Sequence, residues 1–166
     1  MADGRADPSP GVAIRPGIGD LVPELEKYIA RYWPGNTTVR SLTRSLRFSS
    51  VPATTQASLP LNFQFGGLVI ELAGSSSGLG VNVARNAPNN TMWELQLTYQ
   101  NDVPLWDNLA RADALFGEDG DKHRWFLPPL YVPAESQITV TVNNLLASTA
   151  DLINVLFFTL EPRKLG

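Results

Sequence analysis

His123 is the only histidine in the 166-residue chain, and histidine is the most common general base in enzymes. A Ser-His-Asp triad would therefore need His123 as its base, and the absence of cysteine excludes a Cys-His pair. The stretch GSSSGLG (74–80) lacks the Gly-Lys-Ser/Thr ending of a phosphate loop. A lone histidine beside the acidic loop 118–121 is most simply a solvent-facing loop residue. We therefore predict that the protein is not an enzyme.

Metal binding and sugar cleavage depend on how carboxylates are grouped. The acidic loop 118–121 offers oxygen ligands of the kind that calcium prefers, but its spacing does not match an EF-hand, and such tips are also ordinary turns. Glycosidases need two carboxylates across a cleft, and Glu71, Glu94 and Glu135 are candidates only as acids on or near strands. The sequence predicts no cofactor and leaves calcium binding open.

Tryptophans offer a different chemistry, because their flat rings can stack on sugars. The chain has four, Trp33, Trp93, Trp106 and Trp125. Trp93 lies on the apolar side of an alternating strand and is predicted to be in the core. Trp106 and Trp125 flank the acidic loop, so they are the candidates for a carbohydrate-binding surface.

The overall composition limits the partners. A net charge of −3 gives no reason to expect nucleic-acid binding. No stretch approaches the roughly 20 apolar residues of a membrane span, and the start MADGRADPSPG lacks the apolar region of a signal peptide. The absence of cysteine favours assembly in the cytoplasm over secretion.

The N-terminal part of the chain predicts an arm and one helix. Residues 1–19 are rich in Gly, Pro, Asp and Ala without apolar periodicity, which is typical of a flexible arm. Residues 20–35 place Leu21, Leu25 and Tyr28 on one helical face. The pair Pro34-Gly35 is expected to end this helix.

Residues 36–166 predict seven or eight short strands with turn signals at intervals of roughly ten residues. The clearest alternation is in 93–99, and the run 152–160 is apolar at nearly every position, as expected of a central strand covered on both faces. This pattern predicts an all-β fold, a β-sandwich, jelly roll or related barrel, preceded by the arm and the leading helix. The predicted core residues are Phe63, Phe65, Trp93, Leu95, Leu97, Ile138, Val140, Val142, Val155 and Phe157.

The stretch RWFLPPLYVPAESQITVTVNN (124–144) joins three prolines to an alternating strand. Because proline cannot donate to a sheet ladder, the prolines are expected to keep the chain out of a sheet centre until Ser136. The arrangement of Phe126, Pro129 and Pro133 before ITVTVN, followed by INVLF (153–157), resembles the C-terminal strand pair of the jelly-roll cement, or decoration, proteins of tailed-phage capsids.

The resemblance is best over 93–162 and implies a virion structural protein on the capsid surface, assembled in the host cytoplasm. Such a protein decorates or cements the capsid by binding the major capsid protein and itself, as a dimer or trimer. The arm, the apolar segment 104–116 and the basic tail are the predicted contacts. The candidate contact residues are Arg5, Arg15, Leu105, Trp106, Leu109, Leu115, Phe116, Arg163 and Lys164. The alternative is a carbohydrate- or receptor-binding β-sandwich of a tail or spike.

Overall fold

The computed structural model describes residues 18–35, 38–77, 90–99, 103–106, 108–118 and 120–163. The chain divides into two units, Met1–Asn36 and Thr37–Gly166. The first unit contributes helix α1, and the second contributes all of the described strands. The predicted arm lies almost entirely outside the described residues.

Helix α1 spans Ile18–Tyr32. Leu25 and Tyr28 are half-buried, whereas the two charged residues between them are exposed, as expected of an amphipathic helix. Pro34 and Gly35 follow the helix, and Gly35 has a φ of +91°, which suits a residue just past a helix end. The leading helix predicted from the apolar spacing is therefore present.

Nine strands make up most of the described part of the second unit. They are β1 (Val39–Val51), β2 (Gln56–Phe63), β3 (Gly67–Ser77), β4 (Trp93–Tyr99), β5 (Val103–Pro104), β6 (Ala110–Arg111), β7 (Arg124–Val132), β8 (Ser136–Asn144) and β9 (Ala150–Pro162). A 3-10 turn at Asn90–Met92 precedes β4, and a five-residue helix, α2 (Ala112–Phe116), follows β6.

The strands form two antiparallel sheets. Sheet A has the order β1-β9-β3-β7, and sheet B has the order β2-β8-β4-β5, with β6 also paired to β4. The chain is doubled back into one long antiparallel ribbon of nested strand pairs. From the outside inward, these pairs are β1–β9, β2–β8, β3–β7 and β4–β5. The winding of this ribbon also brings β9 beside β3 and β8 beside β4. This topology is a jelly roll, so the predicted all-β fold is confirmed.

Alternation along each strand sorts the side chains between the core and the outer faces of the sandwich. In β4, Trp93, Leu95 and Leu97 are buried and the residues between them are half-buried. Nine of the ten predicted core residues are fully buried: Phe63, Trp93, Leu95, Leu97, Ile138, Val140, Val142, Val155 and Phe157.

Phe65 is the exception, and its predicted core position is wrong, because 37% of its surface is exposed. Strand β2 ends at Phe63, and the next two residues form a turn before Gly66, which has a φ of +77°. Glycine adopts that conformation without strain. The turn interrupts the alternation, so Phe65 does not share the inward side of Phe63.

The proline-rich stretch forms an edge of sheet A. Strand β7 contains Pro128 and Pro129, and in the described chain it is hydrogen-bonded to β3 alone. The register of this ladder shifts across the prolines, and the Leu127–Pro128 peptide is cis. Edge strands tolerate proline because one side of the strand needs no sheet hydrogen bonds. The regular strand β8 then begins at Ser136, as predicted.

Two buried asparagines fix the loops at one end of the sandwich. The Nδ2 group of Asn144 donates to the carbonyl oxygens of Val51 and Ser148, at 3.1 and 2.9 Å. The Nδ2 group of Asn90 donates to the carbonyl oxygen of Gly117 at 2.9 Å. Such side chain–backbone bonds satisfy loop carbonyls that would otherwise be buried without donors. The bond of Asn90 also holds Gly117, the residue that follows α2, in place.

Candidate functional site

The predicted apolar contact segment folds back onto the sandwich. Leu105, Trp106 and Leu115 are half-buried and pack against the core. The Nε1 group of Trp106 donates to the carbonyl oxygen of Leu95 at 3.1 Å. Leu109 is also half-buried. These side chains mainly cover the core, and their role as contacts with another protein stays a prediction.

Phe116 is a correction to the predicted contacts, because its ring has no exposed surface. The ring stacks on Trp93, with centroids 5.9 Å apart. It lies against Gly74 of β3, where a Cβ atom would clash with it. The short helix α2 turns Phe116 inward, so this residue completes the core and is not available to a partner.

The remaining predicted contacts lie at the two ends of the chain. Arg163 is exposed, and its backbone N–H donates to the carbonyl oxygen of Thr38 at 2.7 Å. Arg5, Arg15 and Lys164 are outside the described residues. The structure therefore leaves these four predicted contacts untested.

His123 lies in the loop before β7, as predicted, but its side chain is half-buried and does not simply face solvent, which corrects that part of the prediction. Its Nδ1 atom is hydrogen-bonded to the carboxylate of Glu71, which is 8% exposed. Its ring stacks on Phe158, with centroids 5.9 Å apart and planes 17° from parallel. Glu71 and His123 are 52 residues apart in the chain, so no local sequence signal could indicate the pair.

Ser76 deserves comparison with His123, because GSSSG (74–78) has the letters of the Gly-x-Ser-x-Gly nucleophile motif. In hydrolases that motif is a sharp turn between a strand and a helix, whereas Gly74 and Ser76 lie within strand β3. Ser76 pairs with the buried Ile153 and faces the core. Glu71, which holds His123, pairs with Phe158 on the opposite side of sheet A. The sheet therefore separates the serine from the histidine.

The candidate glycosidase acids also lie apart. Glu71 is on the outer side of sheet A. Glu94 is on the outer side of sheet B, where its carboxylate accepts a hydrogen bond from Asn143 Nδ2 at 2.9 Å. Glu135 is exposed in the turn between β7 and β8. Glu71 and Glu94 are on opposite outer faces, so they do not face each other across a cleft.

The outer side of sheet A, which we call face A, is apolar along its central strand. Its members are Leu152, Asn154, Leu156, Phe158, Leu160 and Pro162 on β9, Leu68, Glu71, Ala73 and Ser75 on β3, Trp125 and Tyr131 on β7, and Val39, Ser41, Thr43, Ser45, Arg47 and Ser49 on β1. The four large apolar side chains of β9 are half-buried, and Leu68 is fully buried. One side of β9 is thus in the core, and its other side forms an apolar stripe.

The outer side of sheet B, which we call face B, is mostly polar in its described residues. Its members are Gln56, Ser58, Pro60 and Asn62 on β2, Gln137, Thr139, Thr141 and Asn143 on β8, and Glu94, Gln96 and Thr98 on β4. Ser58 and Thr141 share a hydrogen bond between their hydroxyl oxygens at 2.8 Å. Face B is the kind of surface that solvent covers.

The tryptophans do not form one sugar-binding platform. Trp93 is fully buried, as predicted. Trp106 is half-buried and bonded to β4 of sheet B, whereas Trp125 lies on face A. The two candidates for a shared aromatic surface are therefore on different sheets.

A pocket of about 320 Å³ lies at the end of the sandwich where β2 and β7 finish. It is lined by Asn62, Phe63, Gln64, Glu135, Ser136 and Gln137. The backbone N–H of Glu135 donates to the carbonyl oxygen of Gln64 at 3.3 Å, which joins the two turns. Amide and carboxylate groups of this kind can bind hydroxyl groups of a neutral ligand.

Neither a metal centre nor a membrane-spanning helix is found in the described ranges. No group of three or more His, Cys, Asp or Glu side chains there is placed to hold a metal ion. Glu118 and Asp121 of the acidic loop are exposed, and Asp119 is outside those ranges. The helices within them are too short or too polar to cross a bilayer.

Comparison with known proteins does not assign the chain to a family. No protein-family model matches its sequence, and no curated protein matches it.

Proposed function

We propose that the chain is a non-enzymatic structural protein of a virion, which decorates or cements a phage capsid by binding the major capsid protein and itself. The jelly roll is compatible with this role but does not choose it, because viral capsid proteins, lectins and cupins share the fold. The role of this chain must therefore be inferred from the chemistry of its surfaces and not from the fold.

Face A is the observation that carries the proposal. The large apolar side chains of β9 on this face are half-buried rather than fully buried, and contiguous apolar surface is typical of a site that binds another protein. The separation of Ser76 from His123, and of Glu71 from Glu94, gives no support to a hydrolase. A protein whose main surface feature is a contact face fits an assembly role best.

The proposed mechanism is multivalent clamping. Each subunit makes modest contacts with shell proteins, and self-association lets several such contacts act together at a raised effective concentration. The predicted arm, the loops and the basic residues Arg163 and Lys164 are the proposed contacts with the shell. Face A is left for a different partner.

Shell binding is the direct test. The purified protein is mixed with intact shells that lack it, and bound protein is measured after sedimentation of the shells. We expect saturable binding and a higher temperature of shell rupture. A variant without residues 1–17 is expected to bind more weakly while its unfolding temperature stays the same. Absence of binding to the shells would reject the decoration role.

The pocket at this end of the sandwich favours a second candidate, a carbohydrate- or receptor-binding module of a tail or spike. Its lining includes the amides of Asn62, Gln64 and Gln137 and the carboxylate of Glu135. A glycan array probed with the purified protein tests this function. Binding that is lost in Gln137→Ala and kept in the matched face-B variant Gln96→Ala would support it. An array without signal would remove it.

A further inference from the structure

We infer that the free edge of strand β1 binds an extended, acidic segment of another protein, which adds to sheet A as a further strand. We call this site the β1 edge. The inference goes beyond the proposed function and does not depend on it. Within the described chain, β1 is paired with β9 alone, so its opposite side offers backbone N–H and C=O groups without a partner strand.

Strand β1 is the longest and most regular of the described edge strands. The other edge of sheet A, β7, contains two prolines and a shift of register. In sheet B, β2 contains Pro60 and β5 is only two residues long. Prolines, irregular pairing and short length stop an edge from accepting another strand. Strand β1 has 13 residues and no proline, and it keeps one register with β9 from Val39 to Ser49.

The side chains of β1 are open to a neighbouring strand. Ser41, Thr43 and Ser45, on face A, are exposed, unlike the buried residues of β3 on the same face. On the other side of β1, Leu42 and Leu46 are half-buried. A strand added at the β1 edge would flank both rows, so its own side chains would lie beside the serines and threonine on one side and the leucines on the other.

Two arginines select the charge of the partner. Arg40 and Arg47 are exposed and make no ion pair among the described side chains, whereas Arg44 between them donates to the carboxylate of Glu161 at 3.1 Å. Strand β1 contains no acid. Charges on an edge oppose pairing with a strand of like charge, whereas opposite charges directly across a strand pair stabilise it. The β1 edge is therefore selective for an acidic strand.

The positions of the arginines describe the segment that fits. Arg40 and Arg47 are seven positions apart and point to opposite sides of β1, Arg47 to face A and Arg40 to the side of Leu42. At about 3.3 Å per residue, they are separated by ~23 Å along the strand. The matching segment is extended over at least that length, carries one acid near each end, and has apolar residues opposite Leu42 and Leu46.

The chain itself offers no such segment for this edge. A second copy of β1 would bring arginines against arginines, with no acid to pair with them. The segment 78–89 contains no Asp or Glu, and the segment 1–17 contains three prolines, which cannot donate to a sheet ladder. The partner is therefore a segment of a different protein.

Fluorescence anisotropy of a labelled synthetic peptide, titrated with the full chain, tests the inference. The peptide has a glutamate at each end, seven positions apart, and threonine alternating with valine between them. A second peptide has lysine in place of both glutamates. We expect saturable binding of the glutamate peptide and roughly tenfold weaker binding of the lysine peptide, because each end changes from an opposite to a like charge.

A charge reversal on β1 makes the test specific. The variant Arg40→Glu, Arg47→Glu is expected to bind the lysine peptide more tightly than the glutamate peptide. The matched control is Lys122→Glu, Arg124→Glu, which makes the same change of charge at exposed residues where β7 begins and is expected to keep the original preference. Failure of the unmodified protein to bind the glutamate peptide, or loss of the preference in the control, would overturn the inference.

Amide hydrogen exchange of the unmodified protein locates the bound peptide and needs no variant. Strand addition gives a hydrogen-bond partner to every second N–H group of β1, so exchange is expected to slow at alternate residues of β1 and to stay the same in β7. Binding without this protection would mean that the peptide contacts only the arginine side chains, which would reject strand addition. Equally tight binding of a single-stranded DNA oligonucleotide would also reject it, because phosphates need no open edge.

Neither measurement includes shells. A protein that binds shells but not the glutamate peptide would reject the β1 edge as a docking site and support the decoration role. A protein that binds the peptide but not shells would do the opposite. The two proposals can therefore fail separately.

Discussion

Faces A and B occupy equivalent positions in the jelly roll and differ in chemistry. Each has a long strand flanked by a neighbour on both sides, β9 in sheet A and β8 in sheet B. The outer positions of β8 are Thr139, Thr141 and Asn143, whereas those of β9 include Leu156 and Phe158. The fold requires apolar residues only on the inner positions, which both strands have. The apolar outer positions of β9 are therefore not needed for the sandwich core, and they make face A less polar than face B.

The largest expected effect separates the core from face A. Replacing Leu97 by Ala is expected to lower the free energy of unfolding by about 2–5 kcal/mol, because the residue is fully buried. Leu156→Ala removes the same atoms from the half-buried stripe and is expected to cost less than half as much. Urea unfolding at a protein concentration too low for dimers measures both. Equal costs would mean that the monomer itself covers Leu156 as fully as it covers Leu97.

An intermediate effect compares one acid from each face. Glu71→Ala removes a buried carboxylate that is bonded to His123 and is expected to cost about 1–3 kcal/mol. Glu94→Ala removes a half-buried carboxylate whose partner Asn143 can turn to water, and the expected cost is below ~1 kcal/mol. Thermal unfolding of the two variants checks the order. A larger loss of stability for Glu94→Ala than for Glu71→Ala would show that face B is not simply covered by solvent.

The smallest expected effect is on face B. Thr141→Val keeps the branched shape that suits a strand and removes one hydroxyl, which shares a hydrogen bond with Ser58. The free energy of unfolding is expected to change by no more than ~0.5 kcal/mol, as for most surface substitutions. Chemical denaturation measures it, with Val140→Thr on the inner side as the contrasting variant. A loss for Thr141→Val as large as that for Val140→Thr would show that face B is not simply solvated.

The parts of the fold that the sequence predicts are those governed by neighbours in the chain. Period-two alternation places Trp93, Leu95 and Leu97 in the core, and the nearly continuous apolar run predicts the central position of β9. Apolar spacing followed by Pro34-Gly35 predicts α1. In each case the spacing of the apolar side chains matches the repeat of the backbone, 3.6 residues in the helix and two in a strand, over several consecutive residues.

The failures have local or long-range causes that the pattern does not contain. Phe65 continues the alternation of β2 in the sequence, but a turn begins one residue before it. Phe116 is inward because a five-residue helix, too short for a reliable period, rotates it onto Trp93. The bond between Glu71 and His123 depends on how β3 and the chain before β7 meet. These positions are set by tertiary contacts, which override local preference.

The place of β9 also has a consequence for biosynthesis. It is the last of the described strands in chain order, yet it lies between β1 and β3, and its pairing joins Pro162 to Val39. Until the ribosome has released this strand, sheet A has a gap at its centre, and the edges of β1 and β3 are open to strands of other nascent chains. Sheet A therefore closes only after β9 has been synthesised, later than all of its other strands, and the late closure of such distant pairs makes folding slow.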